Sequence, residues 1–239
     1  MRLGAAFAFC VAMGAALGGA AGARAAAAAA NTRPVLVELF TAQGCSACPD
    51  ANRLADELAE RKGLAVLTFP VDYWDYLGWP DSFAQPEFTA RQRAYQMRWK
   101  LKEIYTPEIV VGGAKESPGS DREKVEGLIK ADRAGPGPRI QFLRKETRAT
   151  VGEGSAAAGT FDVWLVRYDP RKREVKVEKG ENRGKTVIHR NVVRELVRLG
   201  AWNGRARSYP LPDPKADGLK SLIVVQGVRG GRVLAIGRS

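Results

Sequence analysis

The chain is 239 residues long and carries 38 Lys and Arg against 26 Asp and Glu, a formal net charge of +12, with one histidine and three cysteines. So few cysteines exclude a disulfide-stapled scaffold, and one histidine leaves too few ligands for a four-coordinate zinc site. The basic residues are dispersed and no aromatic–basic recognition motif accompanies them, which argues against nucleic acid as a partner and for a solvated basic surface.

Met1 to Gly22 starts with a single basic residue, Arg2, followed by an apolar run from Leu3 to Leu17 and then small residues. Ala23-Arg24-Ala25 fits a small-x-small cleavage site, so residues 1–25 read as a signal peptide and the mature chain as periplasmic or secreted. Gly14, Gly18 and Gly19 interrupt the apolar run, which is short for a span, so no stable membrane insertion is expected after cleavage. Cleavage removes Cys10 and leaves Cys45 and Cys48.

Val35 to Phe40 reads as a buried strand, and Thr41 to Gly44 as a short turn leading into Cys45-Ser46-Ala47-Cys48. Asp50 to Lys62 reads as an amphipathic helix with Ala51, Leu54, Ala55 and Leu58 on one face and Pro49 in its first turn. Leu64 to Val71 is a second buried strand. Asp72 to Pro86 is a loop holding Tyr73, Trp74, Tyr76, Trp79 and Phe83. A helix is predicted over Thr89 to Leu101, then Tyr105-Thr106-Pro107, a strand over Ile109 to Val111 and a Gly112-Gly113 turn. Ser120 opens another helix in a capping box with Glu123, with Val125, Leu128 and Ile129 as its stripe. This alternation predicts an α/β layer. Gly135-Pro136-Gly137-Pro138 then marks a boundary. Beyond it, Ile140–Leu143, Phe161–Tyr168, Glu174–Val177, Leu219–Gln226 and Val233–Ile236 read as strands, and Thr186–Leu199 as a strand passing into a short helix. Two domains are expected, 31–133 and a β-rich accessory domain over 139–239.

Two thiols spaced by two residues between a buried strand and a helix suit thiol–disulfide exchange with protein or small-molecule thiols and disulfides. Cys45 lies nearest the helix start, where free N–H groups and the helix dipole favour a thiolate, so it is the candidate nucleophile and Cys48 the resolving thiol. Two thiolates also suit copper(I), which stays an alternative; no other metal and no cofactor is implied. Glu38 is an acid inside an apolar strand. It is either a proton partner of Cys48, or a residue on an exposed face or a carboxylate satisfied by an arginine. Tyr73 and Trp74 are candidates for a substrate groove, against ordinary packing of the loop. His189 reads as a structural or surface residue. Glu181, Asn182 and Arg183 either bind a ligand or pin the turn after Gly180.

Four stretches together carry a resemblance. They are Glu38 to Pro49, Val71 to Trp79, Phe88 to Tyr95 and Tyr105-Thr106-Pro107; Gly180 to Thr186 and His189 to Arg194 extend it. They resemble the secreted bacterial thioredoxin-like family catalogued as domain of unknown function 1223. The resemblance implies an α/β thioredoxin-like domain, a mixed sheet with flanking helices, over 31–133, followed by the β-rich C-terminal domain. It also implies a cis proline opposite the CxxC, for which Thr106-Pro107 is the candidate, with Thr106 offering backbone hydrogen bonds to a substrate strand. It implies no particular substrate or redox partner. A thioredoxin-like binding module whose thiols act as a redox switch is the alternative of a different class.

Overall fold

The computed structural model describes residues 33–132, 137–143, 146–156 and 159–239. The expected signal peptide, Cys10, and Gly135 and Pro136 of the expected boundary lie outside the described residues. Among the described residues, no helix is long and apolar enough to cross a membrane.

The first half runs β1 (Val35–Thr41), α1 (Cys48–Ala59), β2 (Leu64–Pro70), a single 3-10 turn (Asp75–Leu77), α2 (Pro86–Trp99), β3 (Glu108–Val111), β4 (Lys115–Pro118) and α3 (Arg122–Ala131). The second half is all strand: β5 (Ile140–Leu143), β6 (Arg148–Val151), β7 (Phe161–Asp169), β8 (Arg173–Lys176), β9 (Thr186–His189), β10 (Val192–Trp202), β11 (Arg207–Pro210), β12 (Lys220–Gly227) and β13 (Val233–Arg238). The result is a mixed α/β fold with one large mixed sheet.

That sheet has eight strands in the order β13-β12-β7-β10-β2-β1-β3-β4. β1 pairs parallel with β2 and antiparallel with β3, so the strand that leads into the CxxC lies between two neighbours. Such a strand is covered on both faces, which is why it reads as a nearly continuous apolar run. Its side chains alternate. Leu36 and Phe40 join a cluster with α2 residues Phe88 and Tyr95 and with both cysteines. Val37 and Leu39 pack on the other face against Ala51, Leu54, Ala55 and Leu58 of α1 and Val125 and Ile129 of α3.

The halves expected as separate domains contribute four strands each to this one sheet, and residues 33–239 form one compact unit. The join is narrow. β10 runs parallel to β2 only at Val192 opposite Thr68, and the pairing is extended by Thr68 N–H to Asn191 O (3.1 Å) and Asn191 Nδ2 to Val66 O (2.9 Å). A third apolar cluster, including Val163, Leu165, Trp202, Tyr209, Ile223 and Val225, fills the second half.

Several boundaries differ from expectation. α1 starts at Cys48 and α2 at Pro86, each with proline in its first turn, where the missing N–H costs nothing. The cap of α3 is Asp121, whose carboxylate accepts Lys124 N–H at 3.0 Å, and not Ser120. Thr186–Leu199 holds no helix. Register shifts between Val193 and Glu195 and between Arg198 and Gly200 interrupt the alternation of β10. Each bulge resets which face a residue points to, so Val192, Val193, Leu196 and Leu199 mimic a helical period. The short strands β4, β6 and β11 had no apolar run to announce them.

Candidate functional site

The end of β1 and the start of α1 hold the cysteines 5.4 Å apart at Cα, joined as a disulfide. Thr41 fixes the turn to the helix by donating to Asn52 Oδ1 at 2.8 Å. Cys48 N–H donates to Cys45 O at 3.1 Å, closing one helical turn across the pair. Ser46 and Ala47 are exposed, yet Cys45 is only 1% and Cys48 0% exposed.

A segment from far along the chain lies against the turn that holds Cys45. Residues 178–185, between β8 and β9, lie against the CxxC turn. Gly180 has φ +74°, and a methyl group on it would sit 3.8 Å from Gly44 Cα. Asn182 is fully buried, and its Nδ2 donates to Gln43 O at 2.9 Å and to Cys45 O at 2.6 Å. The Glu181 carboxylate accepts Ser46 N–H at 3.1 Å, which holds its pKa below the usual range. Of the three residues left open by the sequence, Asn182 and Glu181 pin the CxxC turn itself. Arg183 donates its backbone N–H to Gly180 O at 3.2 Å.

The aromatic loop approaches from the other side. A methyl group on Gly44 would lie 3.8 Å from Trp74 Cβ, and the Trp74 indole N–H donates to Thr106 Oγ1 at 2.7 Å. The Thr106–Pro107 bond is cis. Trp74 therefore links the CxxC turn to the proline loop. Tyr73 is half-buried; its hydroxyl faces Gln92 and Thr106 without a normal hydrogen bond, and burial drives its pKa far up. Trp79 donates to Gln43 Oε1 at 2.9 Å, and Gln43 N–H donates to Asp81 at 2.8 Å. Burial pushes Asp81 up to about 6. Tyr76 is exposed.

Glu38 is fully buried, and both its oxygens are occupied. Arg91 Nε donates to Oε1 at 2.6 Å and the Tyr95 hydroxyl to Oε2. Arg91 also donates to Gln226 Oε1 at 2.9 Å, so the network ties β1 to α2 and β12. Burial opposes the Arg91 charge, but Glu38 and Tyr95 outweigh it and hold the guanidinium protonated.

A second buried acid was not singled out from the sequence. Glu108, 1% exposed, directly follows Pro107 and accepts Gln92 Nε2 at 2.6 Å on Oε2, while Oε1 has no partner. The signal available was an acid opening an otherwise apolar strand next to that proline. His189 is buried edge-on to Phe83 at 5.6 Å, with neither ring nitrogen hydrogen-bonded, and burial lowers its pKa to about 4. Among the described residues, no group of three or more His, Cys, Asp or Glu is arranged to hold a metal ion.

The family model described as "Protein of unknown function (DUF1223)" matches residues 36–226. The chain belongs to this family. Among solved structures, this DUF1223 protein is similar to protein AGR_C_4864 from Agrobacterium tumefaciens, at 26% identity and a TM-score of 0.72 over 87% of this chain and 94% of that one. HBP35 of Porphyromonas gingivalis is similar in fold, at 13% identity and a TM-score of 0.54 over 87% of this chain and 75% of that one. No curated protein matches the DUF1223 chain.

Proposed function

We propose that this DUF1223 protein is a periplasmic or secreted thiol–disulfide oxidoreductase acting on protein or small-molecule thiols. The observation that carries this reading is the Cys45–Cys48 disulfide at the start of α1, linked through Trp74 to the Thr106–Pro107 loop. The order β2-β1-β3-β4, with α1 and α3 on one face and α2 on the other, supports reading residues 31–133 as thioredoxin-like.

In the reduced protein, the Cys45 thiolate at the helix start attacks one sulfur of a substrate disulfide. A Cys45–substrate disulfide forms and one substrate thiolate leaves. Cys48 then attacks the Cys45 sulfur, the Cys45–Cys48 bond forms and the second thiolate leaves. Two electrons pass from the protein to the substrate, and the reverse sequence oxidises a dithiol. Thr106 and Trp74 border the place where an extended substrate segment would lie. Because Cys45 is buried and Gly180, Glu181 and Asn182 lie against its turn, a large substrate needs that loop to withdraw.

That cover favours a second reading, a binding module whose thiols switch slowly with redox state. Turnover of a model disulfide separates the two. An oxidoreductase consumes many equivalents of substrate with a chemical reductant present, and Cys45→Ser abolishes this. A switch reacts once and stops.

A further inference from the structure

We infer that Glu108, rather than Glu38, is the carboxyl that takes up and returns the proton of Cys48 during exchange. The inference rests on the oxidoreductase reading above and names a further residue of that reaction.

Two buried acids point to the sulfur side of the sheet. In β1, Phe40 lies on the face that carries Cys45 and Cys48, and Glu38, two residues earlier, shares that face. In β3, Glu108 is the direct neighbour of Phe40 and Val110 that of Glu38. Val110 packs in the cluster of both cysteines while Ile109 and Val111 pack on the opposite face, so Glu108 also points to the sulfur side.

Their surroundings differ in kind. Glu38 has a buried guanidinium on one oxygen and the Tyr95 hydroxyl on the other. The buried Arg91 charge depends on this carboxylate as its partner. Among the described residues, Glu108 has no cation beside it. Its one partner is the neutral Gln92 amide, and its second oxygen is unengaged. The charged and titratable groups around it are Glu38 on β1, Glu116 on β4 and, beyond Gln92, Tyr73 and Tyr105 in the adjoining loops. Arg91 is spent on Glu38. Burial, with the two neighbouring acids, pushes Glu108 up to about 7, where a carboxyl exchanges protons with a thiol most effectively.

The step balances as follows. Cys48 sulfur attacks Cys45 sulfur in the mixed disulfide as its proton passes to the Glu108 carboxylate. The Cys45–Cys48 bond forms, the Cys45–substrate bond breaks, and the substrate leaves as a thiolate. In the reverse direction Glu108 returns the proton to the Cys48 sulfur as that bond opens.

The test uses the reduced full chain and a chromogenic aromatic disulfide that releases one thiolate at each step. The second release should rise with pH through an inflection near pH 7, the value to which Glu108 is raised. Glu108→Gln, which keeps the size and the Gln92 contact, should remove the inflection and slow the second release by ~100-fold, the span of a lost general base, while sparing the first. Glu108→Asp and Glu38→Gln should retain the inflection. An inflection that survives in Glu108→Gln overturns the assignment. Oxidised-minus-reduced infrared difference spectra decide the assignment even if no turnover is seen. A carboxyl C=O band that is present in the wild type and absent in Glu108→Gln supports it; a band that persists in the variant, or is absent from both, overturns it. A protein that releases no second thiolate yet shows the Glu108 band leaves this inference standing and removes the oxidoreductase reading.

Discussion

Asn182 is the side chain whose removal should expose the disulfide with the least other disturbance. It is fully buried and makes two donor contacts, to Gln43 O and to Cys45 O. Asn182→Ala removes both and leaves Gln43 O short of its partner, while Cys45 O keeps the Cys48 N–H. At about 1 kcal/mol per net hydrogen bond, and up to about 3 kcal/mol where a buried group stays unsatisfied, the cost is ~2–4 kcal/mol. In a unit of this size that lowers Tm by roughly 5–15 °C. The same change loosens residues 178–185 on the CxxC turn, leaving only the exposed Glu181 contact to Ser46 N–H among the hydrogen bonds described there, and should uncover Cys45. Chemical denaturation measures the first effect. The rate at which dithiothreitol reduces the disulfide under native conditions measures the second. A rise of about 10-fold or more in that rate corresponds to a local opening made easier by ~1.4 kcal/mol, well within the stability loss. If stability falls but the reduction rate does not rise, Asn182 is only a structural tie and the covering role of the loop is wrong.

Three further outcomes are expected. In the reduced protein, iodoacetamide at mildly acidic pH should label Cys45 well before Cys48, and mass spectrometry of the labelled peptide would show equal labelling if the helix-start argument is mistaken. Arg91→Met should strand the Glu38 charge and cost ~3–5 kcal/mol, with much of the loss recovered in the Arg91→Met/Glu38→Gln double variant; a loss under about 1 kcal/mol in urea melts would contradict a buried ion pair there. His189 is held at about 4, below its ordinary value, so the unfolded chain binds the extra proton first. Its contribution is intact above about pH 6.5 and declines as pH falls toward about 4; His189→Phe should flatten that limb of the stability profile, and an unchanged limb would show that other groups set it.

The CxxC turn was legible because its signals are local. An apolar run, a short turn, two thiols and a helical stripe follow one another within 25 residues of β1 and α1, and Thr106–Pro107 carries its own mark. What escaped is set by distant partners. The acid in β1 was conspicuous, but its arginine lies 53 residues away on α2, so the choice between proton partner and ion pair could not be made. The side chains that tie down the CxxC turn come from residues 135 to 139 positions further along, and no spacing rule connects a turn after β8 to a turn after β1. Glu108 was visible as an acid beside a proline. Its significance depends on burial by α2 and on a partner that is an amide instead of a cation. The continuity of the sheet depends on a parallel contact at Val192 and Thr68, which a Gly-Pro boundary in the sequence concealed. β10 was misread because its bulges give a strand the apolar spacing of a helix.

The central claim is that Cys45 and Cys48 exchange electrons as a pair. The most direct measurement equilibrates the protein with graded mixtures of reduced and oxidised glutathione and counts free thiols by alkylation and mass. The account predicts one two-electron transition in which both thiols vanish together, with a glutathione adduct trapped on Cys45 when Cys48 is replaced by Ser. A pair that stays oxidised, or stays reduced, across the whole series and forms no adduct in Cys48→Ser would contradict it.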